Sequence, residues 1–220
     1  MNTFLKKFVH VKHHAAANAE LHKLFMTYYI KSNIFCPENV FDGRLFTKEK
    51  RHELYGCVAG GKGSRKPEEY QRENIIIGTG HPCPTTQTRI NWRKNEMMEN
   101  LQPMRKDDGF DYTENFDGKQ IFSPNMVVWI NMKSVVGKGG SQTRTLRDEC
   151  DQFINAQLNY LVKSEKTDCY FANIFDGDEA ASKMKMFKYL LGLPEFHSVK
   201  KYIYVGDLKS YFGWIKSSLC

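Results

Sequence analysis

An acid, an amide and a lysine (Asp117, Asn131 and Lys133) stand at spacings that could gather them on one small surface, which would suit a divalent metal and a phosphodiester. Residues 117 to 149 read D-G-K-Q-I-F-S-P-N-M-V-V-W-I-N-M-K-S-V-V-G-K-G-G-S-Q-T-R-T-L-R-D-E. A short polar arm opens with Asp117, and an apolar strand carries Asn131 and Lys133. A glycine-rich basic loop then enters a predicted helix. A lysine inside a hydrophobic strand is unusual, because a buried charge is costly unless paired. Each residue also has a plainer reading. Asp117 could cap an Asp-Gly turn, and Lys133 could face solvent from an edge strand. Asn131 could hydrogen-bond within the sheet or position a metal-bound water, and the sequence leaves both open.

The loop carries Lys138, Ser141, Gln142, Thr143, Arg144 and Arg147. Amides at a helix N-terminus attract anions, and Arg and Gln suit phosphates and base edges. The alternative is a solvated basic loop. Beside an acid–lysine surface, DNA contact is the stronger expectation.

These residues must be positioned by their elements. Met126 to Val136 is rich in β-branched and apolar residues and reads as a strand. Alternation puts Met126, Val128, Ile130 and Met132 on a core face, with Trp129, Asn131 and Lys133 opposite. Pro124 and Asn125 supply turn chemistry for a hairpin. Centred there, positions whose numbers sum to roughly 248 lie opposite one another, give or take a slip of one or two residues. Asp117 then faces Asn131, with Lys133 two residues further on.

An acid, a hairpin, an x-x-Lys strand, then helix, strand and helix resemble the PD-(D/E)xK nuclease superfamily, most closely type II restriction endonucleases. The resemblance covers about residues 108 to 208 and rests on Asp117, Lys133 and the G-G-S-Q-T-R-T-L-R-D-E junction. It implies Asp117 as the first acid and as a Mg²⁺ ligand, with Lys133 as the catalytic lysine. The usual second acid stands at Asn131, an amide, which binds a hard cation less well than a carboxylate. The resemblance then implies a carboxylate from Glu149 or Glu114. Glu149 has the alternative of an ordinary first-turn acid favoured by the helix dipole.

Along the rest of the chain, residues 15 to 31 carry Leu21, Leu24, Phe25, Tyr28 and Tyr29 at helical spacing. Residues 57 to 73 read as a glycine-rich, then charged, surface loop, and Ile75-Ile76-Ile77 as a short buried strand. Residues 81 to 109 read as an insertion that could hold DNA-recognition residues, with a short helix around Lys94 to Leu101. Leu146 to Val162 reads as a helix with Thr145 as N-cap and Cys150 in the core. Cys169 to Phe175 is a strand, Ser182 to Leu191 a helix, and Lys201 to Val205 a final strand. This order predicts an α/β fold, a central mixed sheet flanked by helices in a restriction-endonuclease-like core. One domain spans residues 1–220, with 1–107 as an N-terminal helical and loop part and 108–208 as the catalytic core.

Two tempting motifs fail. G-C-V-A-G-G-K, residues 56 to 62, starts like a phosphate-binding P-loop, but Gly63 replaces the Ser or Thr, no clear strand precedes it and Pro67 follows. His10, His13, His14 and His22 lack a second ligand group at metal-site spacing.

The net charge of +7 favours a polyanionic partner. Six scattered cysteines form no CxxC pair, no secretory h-region opens the chain, and no run nears the ~18 apolar residues of a membrane span. A cytoplasmic protein with reduced thiols is expected. The expected function is a Mg²⁺-dependent, sequence-specific endonuclease acting on double-stranded DNA as a homodimer that mirrors a palindromic site. The alternatives are a cleavage-deficient DNA-binding protein on the same fold, or a junction- or repair-type nuclease that reads DNA structure.

Overall fold

The hairpin expected around Pro124 forms, and in the register expected. In a computed structural model that describes residues 15–55, 66–99, 113–136, 146, 150–164 and 168–219, β4 (Gly118–Ser123) runs antiparallel to β5 (Met126–Ser134). Gly118 lies opposite Ile130 and Ile121 opposite Val127; a bulge before Ser123 absorbs the turn. These three-dimensional neighbours follow from local chemistry, a two-residue turn and alternating apolar positions.

Beyond the hairpin the chain winds as parallel β–α–β units. Helix α4 (Cys150–Ser164) leads to β6 (Cys169–Asp176), and α5 (Asp178–Leu191) leads to β7 (Ile203–Gly206). The sheet order is β4-β5-β6-β7, with β5, β6 and β7 mutually parallel. A mixed sheet flanked by helices is therefore the architecture, as the element order predicted. α4 and α5 pack on one face, where Trp129, Phe153, Phe171, Phe175 and Phe187 form a core with Phe116. α3 (Lys66–Thr79) and α6 (Leu208–Ser218) pack on the other, against Val128, Ile130, Met132 and Ile174. Each fully buried Phe, Ile or Leu contributes roughly 1.5–3 kcal/mol relative to exposure. The alternation along β5 is as expected, but with helices on both sides its two faces are both buried.

The remaining described helices are α1 (Ala15–Asn33), which matches the periodic stretch from residue 15, and α2 (Lys48–Tyr55). A second sheet, order β2-β1-β3, comprises β1 (Arg89–Asn91), β2 (Glu96–Met98) and β3 (Thr113–Asn115).

Three expectations are corrected. Lys66 to Thr79, read as loop and then strand, is a helix. Of its three consecutive isoleucines only Ile75 is buried, while Ile76 and Ile77 are exposed, as a 3.6-residue period requires. Pro67 sits in its first turn, where a missing N–H is harmless. Pro67 therefore does not argue against a P-loop; that reading fails because helix α2, not a strand, precedes residues 56 to 62. Lys94 to Leu101, read as a short helix, is in its described part the β1–β2 hairpin. Its turn is set by the Asn91 side chain, which accepts from the amides of Arg93 and Lys94, and by Asn95 at φ 55°. Finally, α6 follows β7 and the sequence reading omitted it. Asp207 caps it by accepting from Ser210 N–H, and Leu208, Tyr211, Phe212 and Ile215 form its buried stripe.

Among the described residues no helix is long and apolar enough to cross a membrane. Cys36, Cys83, Cys150 and Cys169 are free thiols, and Cys150 is buried on the core face of α4 as expected.

Candidate active site

Asp117 stands where the β4 arm leaves the sheet. Its N–H donates to the Ile130 carbonyl (2.8 Å), and its Oδ2 accepts from Met132 N–H (2.6 Å). The carboxylate thus takes the place of the next strand residue, and Lys133 lies just past it at an open notch in the sheet edge. The Lys133 ammonium is 3.7 Å from Glu114 Oε1 and 4.0 Å from Asp117 Oδ2. Glu114 arrives on β3, paired with Ile90 of β1. Between the two acids, Phe116 is fully buried against Trp129, Phe153 and Phe171 and donates its N–H to the Thr88 carbonyl. One deeply packed ring therefore anchors both acids.

Helix α3 closes the notch from the opposite face. Arg72 donates through Nη2 to the Asp117 carbonyl (2.8 Å) and to Glu68 Oε1 (2.8 Å), and through Nη1 to the Cys83 carbonyl (2.8 Å). This guanidinium fork fixes the backbone that carries Asp117. Gly118 is needed for the close approach, since a Cβ there would lie 2.6 Å from Cys83 Sγ.

The charges of the notch are coupled. Burial pushes the Asp117 carboxyl up to about 6; Lys133 and the Met132 N–H oppose this, while Glu68 and Glu114 add to it. Burial draws the Lys133 ammonium down, but the Asp117 and Glu114 carboxylates outweigh it, so its pKa is raised and it stays protonated. The three side chains are partly exposed, with 16–29% of their surface in solvent.

Asn131 does not enter this cluster with a hydrogen bond. Fully buried, it donates through Nδ2 to Asn173 Oδ1 (3.3 Å), its in-register neighbour on β6. Gln157 of α4 donates to the same oxygen (3.2 Å), and Asn173 returns a bond to Gln157 Oε1 (2.6 Å). Of the two roles left open by the sequence, the contacts are those of hydrogen bonding within the sheet. An acid at position 131 would set a desolvated carboxylate beside the Asn173 oxygen, which an amide avoids. Asn131 Oδ1 itself has no partner.

The structure therefore brings together Asp117, Glu114 and Lys133, with Asn131 alongside in the core. Glu149, Lys138, Ser141, Gln142, Thr143, Arg144 and Arg147 lie outside the described residues. Glu68 and Arg72 were missed, although their i, i+4 spacing is a helix-surface signal. Among the described residues no cluster of three His, Cys, Asp or Glu side chains could hold a metal ion.

A second buried carboxyl sits one strand away. Asp176, in register with Ser134, accepts from Gln71 Nε2 (2.6 Å) and Leu208 N–H (3.1 Å), joining α3, β6 and α6. Gln71 also reaches the Lys133 carbonyl (3.4 Å). Burial raises Asp176 to about 7. The folded state then holds a proton that the unfolded chain releases near pH 4, so this stabilisation is full at low pH. It fades as pH rises to 7, by at most roughly 1.4 kcal/mol per unit. The Asp176→Asn variant is expected to lose this slope; urea titrations at pH 5 and pH 7 check it, and an undiminished slope would assign the proton elsewhere.

No family model, curated protein or solved structure matches the chain.

Proposed function

We propose that the chain is a metal-dependent endonuclease of double-stranded DNA, with a type II restriction enzyme as the class the site supports best. One observation carries the reading: a protonated lysine within 4.0 Å of two carboxylates at an accessible notch in the sheet edge. The donor set fits Mg²⁺, a hard cation that uses one or two carboxylates and completes its shell with water and substrate phosphate. Asp117 and Glu114 would hold it, joined by Glu149 if the loop brings that acid in. When bound, the ion supplies a Lewis acid for the scissile phosphate and acidifies an attacking water.

The chain's own groups do the rest. Lys133 offers a compact ammonium that can stand against a phosphoryl oxygen and stabilise the charge that grows there. Arg72 holds the Asp117 backbone still while DNA docks. Lys138, Ser141, Gln142, Thr143, Arg144 and Arg147 contact phosphates and base edges, and a homodimer matches a palindromic site. Free thiols suit a reducing, cytoplasmic setting.

A second reading, a DNA-binding protein without cleavage, is favoured by the commitment of Asn131 to Asn173, which Gln157 holds in turn; this leaves the motif one acid short. Incubation with phage DNA and Mg²⁺ separates them. Discrete bands are the expected result. Retarded DNA without cutting would support the second reading, and preference for branched substrates would point to a junction nuclease.

A further inference from the structure

At the end of the sheet away from Lys133, β6 and β7 begin beside a groove of about 480 Å³. Its lining includes the rings of Tyr170, Tyr202 and Trp214, the lysines Lys200 and Lys201, and the hydroxyls of Ser217 and Ser218. Tyr170 is in register with Val128, and Lys133 with Phe175. The groove and the notch are thus five residues apart along the strand, roughly 16 Å. The acid–lysine site does not account for it.

The rings stand as walls. Tyr170 meets Tyr202 at 70° (centroids 5.2 Å apart) and Trp214 at 65° (6.3 Å). Tyr204 lies against the Trp214 ring at 5.4 Å and 35°, which backs the indole from the core. All three wall rings are half-buried, so part of each stays wet. Lys201 sits over the Tyr202 ring, 4.9 Å from its centroid, and Lys200 precedes it on the exposed rim. Ser217 and Ser218 both donate their hydroxyl protons to the Trp214 carbonyl (2.7 and 3.0 Å). What they turn outward is acceptor lone pairs.

Planar apolar walls, cations at the rim and outward-facing acceptors define one ligand chemistry: a flat ring with N–H donors, carried on a phosphate chain. We propose that this groove binds an unpaired nucleotide within a single-stranded nucleic acid segment, its base against Trp214 or Tyr170 and its phosphates on Lys200 and Lys201. A duplex does not fit, because its base faces are already stacked. A membrane surface calls for protruding apolar side chains, whereas these rings line a recess. The proposal does not rest on the nuclease reading, and its test is separate from the cleavage assay.

The experiment is fluorescence anisotropy of a labelled mixed-sequence single strand and of the matching duplex, titrated with the whole chain without divalent metal. The Lys200→Glu/Lys201→Glu variant is expected to lose single-strand affinity about tenfold or more while keeping its duplex affinity. Trp214→Leu is expected to lose a comparable amount and Trp214→Phe to retain most of it, since phenylalanine still stacks. Because Trp214 also packs on the core, the lysine variant decides the matter if Trp214→Leu fails to fold. Unchanged single-strand affinity in the lysine variant, or an equal loss for the duplex, would overturn the proposal. So would phosphatidylserine-vesicle binding that needs both lysines in a chain that ignores the oligonucleotide.

Discussion

Lys133→Ala is expected to cut DNA roughly 10²–10³-fold more slowly than the wild type while binding it about as well. The ammonium stands 3.7 Å from Glu114 and 4.0 Å from Asp117, close to the carboxylates that would flank the scissile phosphate. Removing it deletes a charge poised for the transition state and leaves the basic loop untouched. It also takes one counter-charge from two partly buried carboxylates, so some stability goes with it. Lys133→Met keeps the packing of the aliphatic stem and separates the two effects. Single-turnover cleavage at saturating enzyme is the measurement. A variant that retains more than a tenth of the wild-type rate, a loss of only ~1.4 kcal/mol of barrier lowering, removes Lys133 from the mechanism.

Asp117→Asn is expected to abolish Mg²⁺-dependent cleavage, with no rescue by Mn²⁺. The amide oxygen can still accept from Met132 N–H, so the notch keeps its backbone while losing the charge that would hold a cation. The wild-type rate should fall on the acid side of pH 6, because burial lifts the Asp117 carboxyl to about 6 and the neutral form binds metal poorly. Stability has the opposite sign. A carboxyl whose folded pKa exceeds its unfolded one stabilises at low pH, and that contribution is lost as pH rises through 6. Above that pH the variant should therefore be the more stable protein, as is common where a charge is buried for function. Cleavage rates and thermal melts across pH 5 to 8 test both signs. Mn²⁺-supported cutting by the variant, or a wild-type rate flat across pH 6, would move the metal to Glu114 or Glu149.

What could be read from the chain and what could not divide by sequence distance. The β4–β5 register follows from a Pro-Asn turn and alternating apolar residues, all within 17 positions, so Asp117 beside the strand of Lys133 was legible. The β–α–β run after it was legible too, because α4 and β6 each carry their own periodicity. The helical triple Ile75-Ile76-Ile77 looked like a strand because three β-branched residues in a row fit either period. The Glu68–Arg72 pair and the helices packed on both faces decided between them.

The composition of the site itself was a tertiary matter. Glu114 reaches Lys133 only because β3 is held by β1 from a separate small sheet. Arg72 fixes Asp117 across 45 positions of chain. Asn131, which local pattern places where an acid is expected, is claimed by Asn173, 42 positions away and itself bonded to Gln157, in a buried core where a carboxylate would be desolvated. Hydrogen-bond partners and desolvation are properties of the packed interior, and no local pattern encodes them. The sequence by itself determined which strands could carry an acid and a lysine side by side; burial and long-range packing decided which acids meet that lysine and which polar residue is withheld from it.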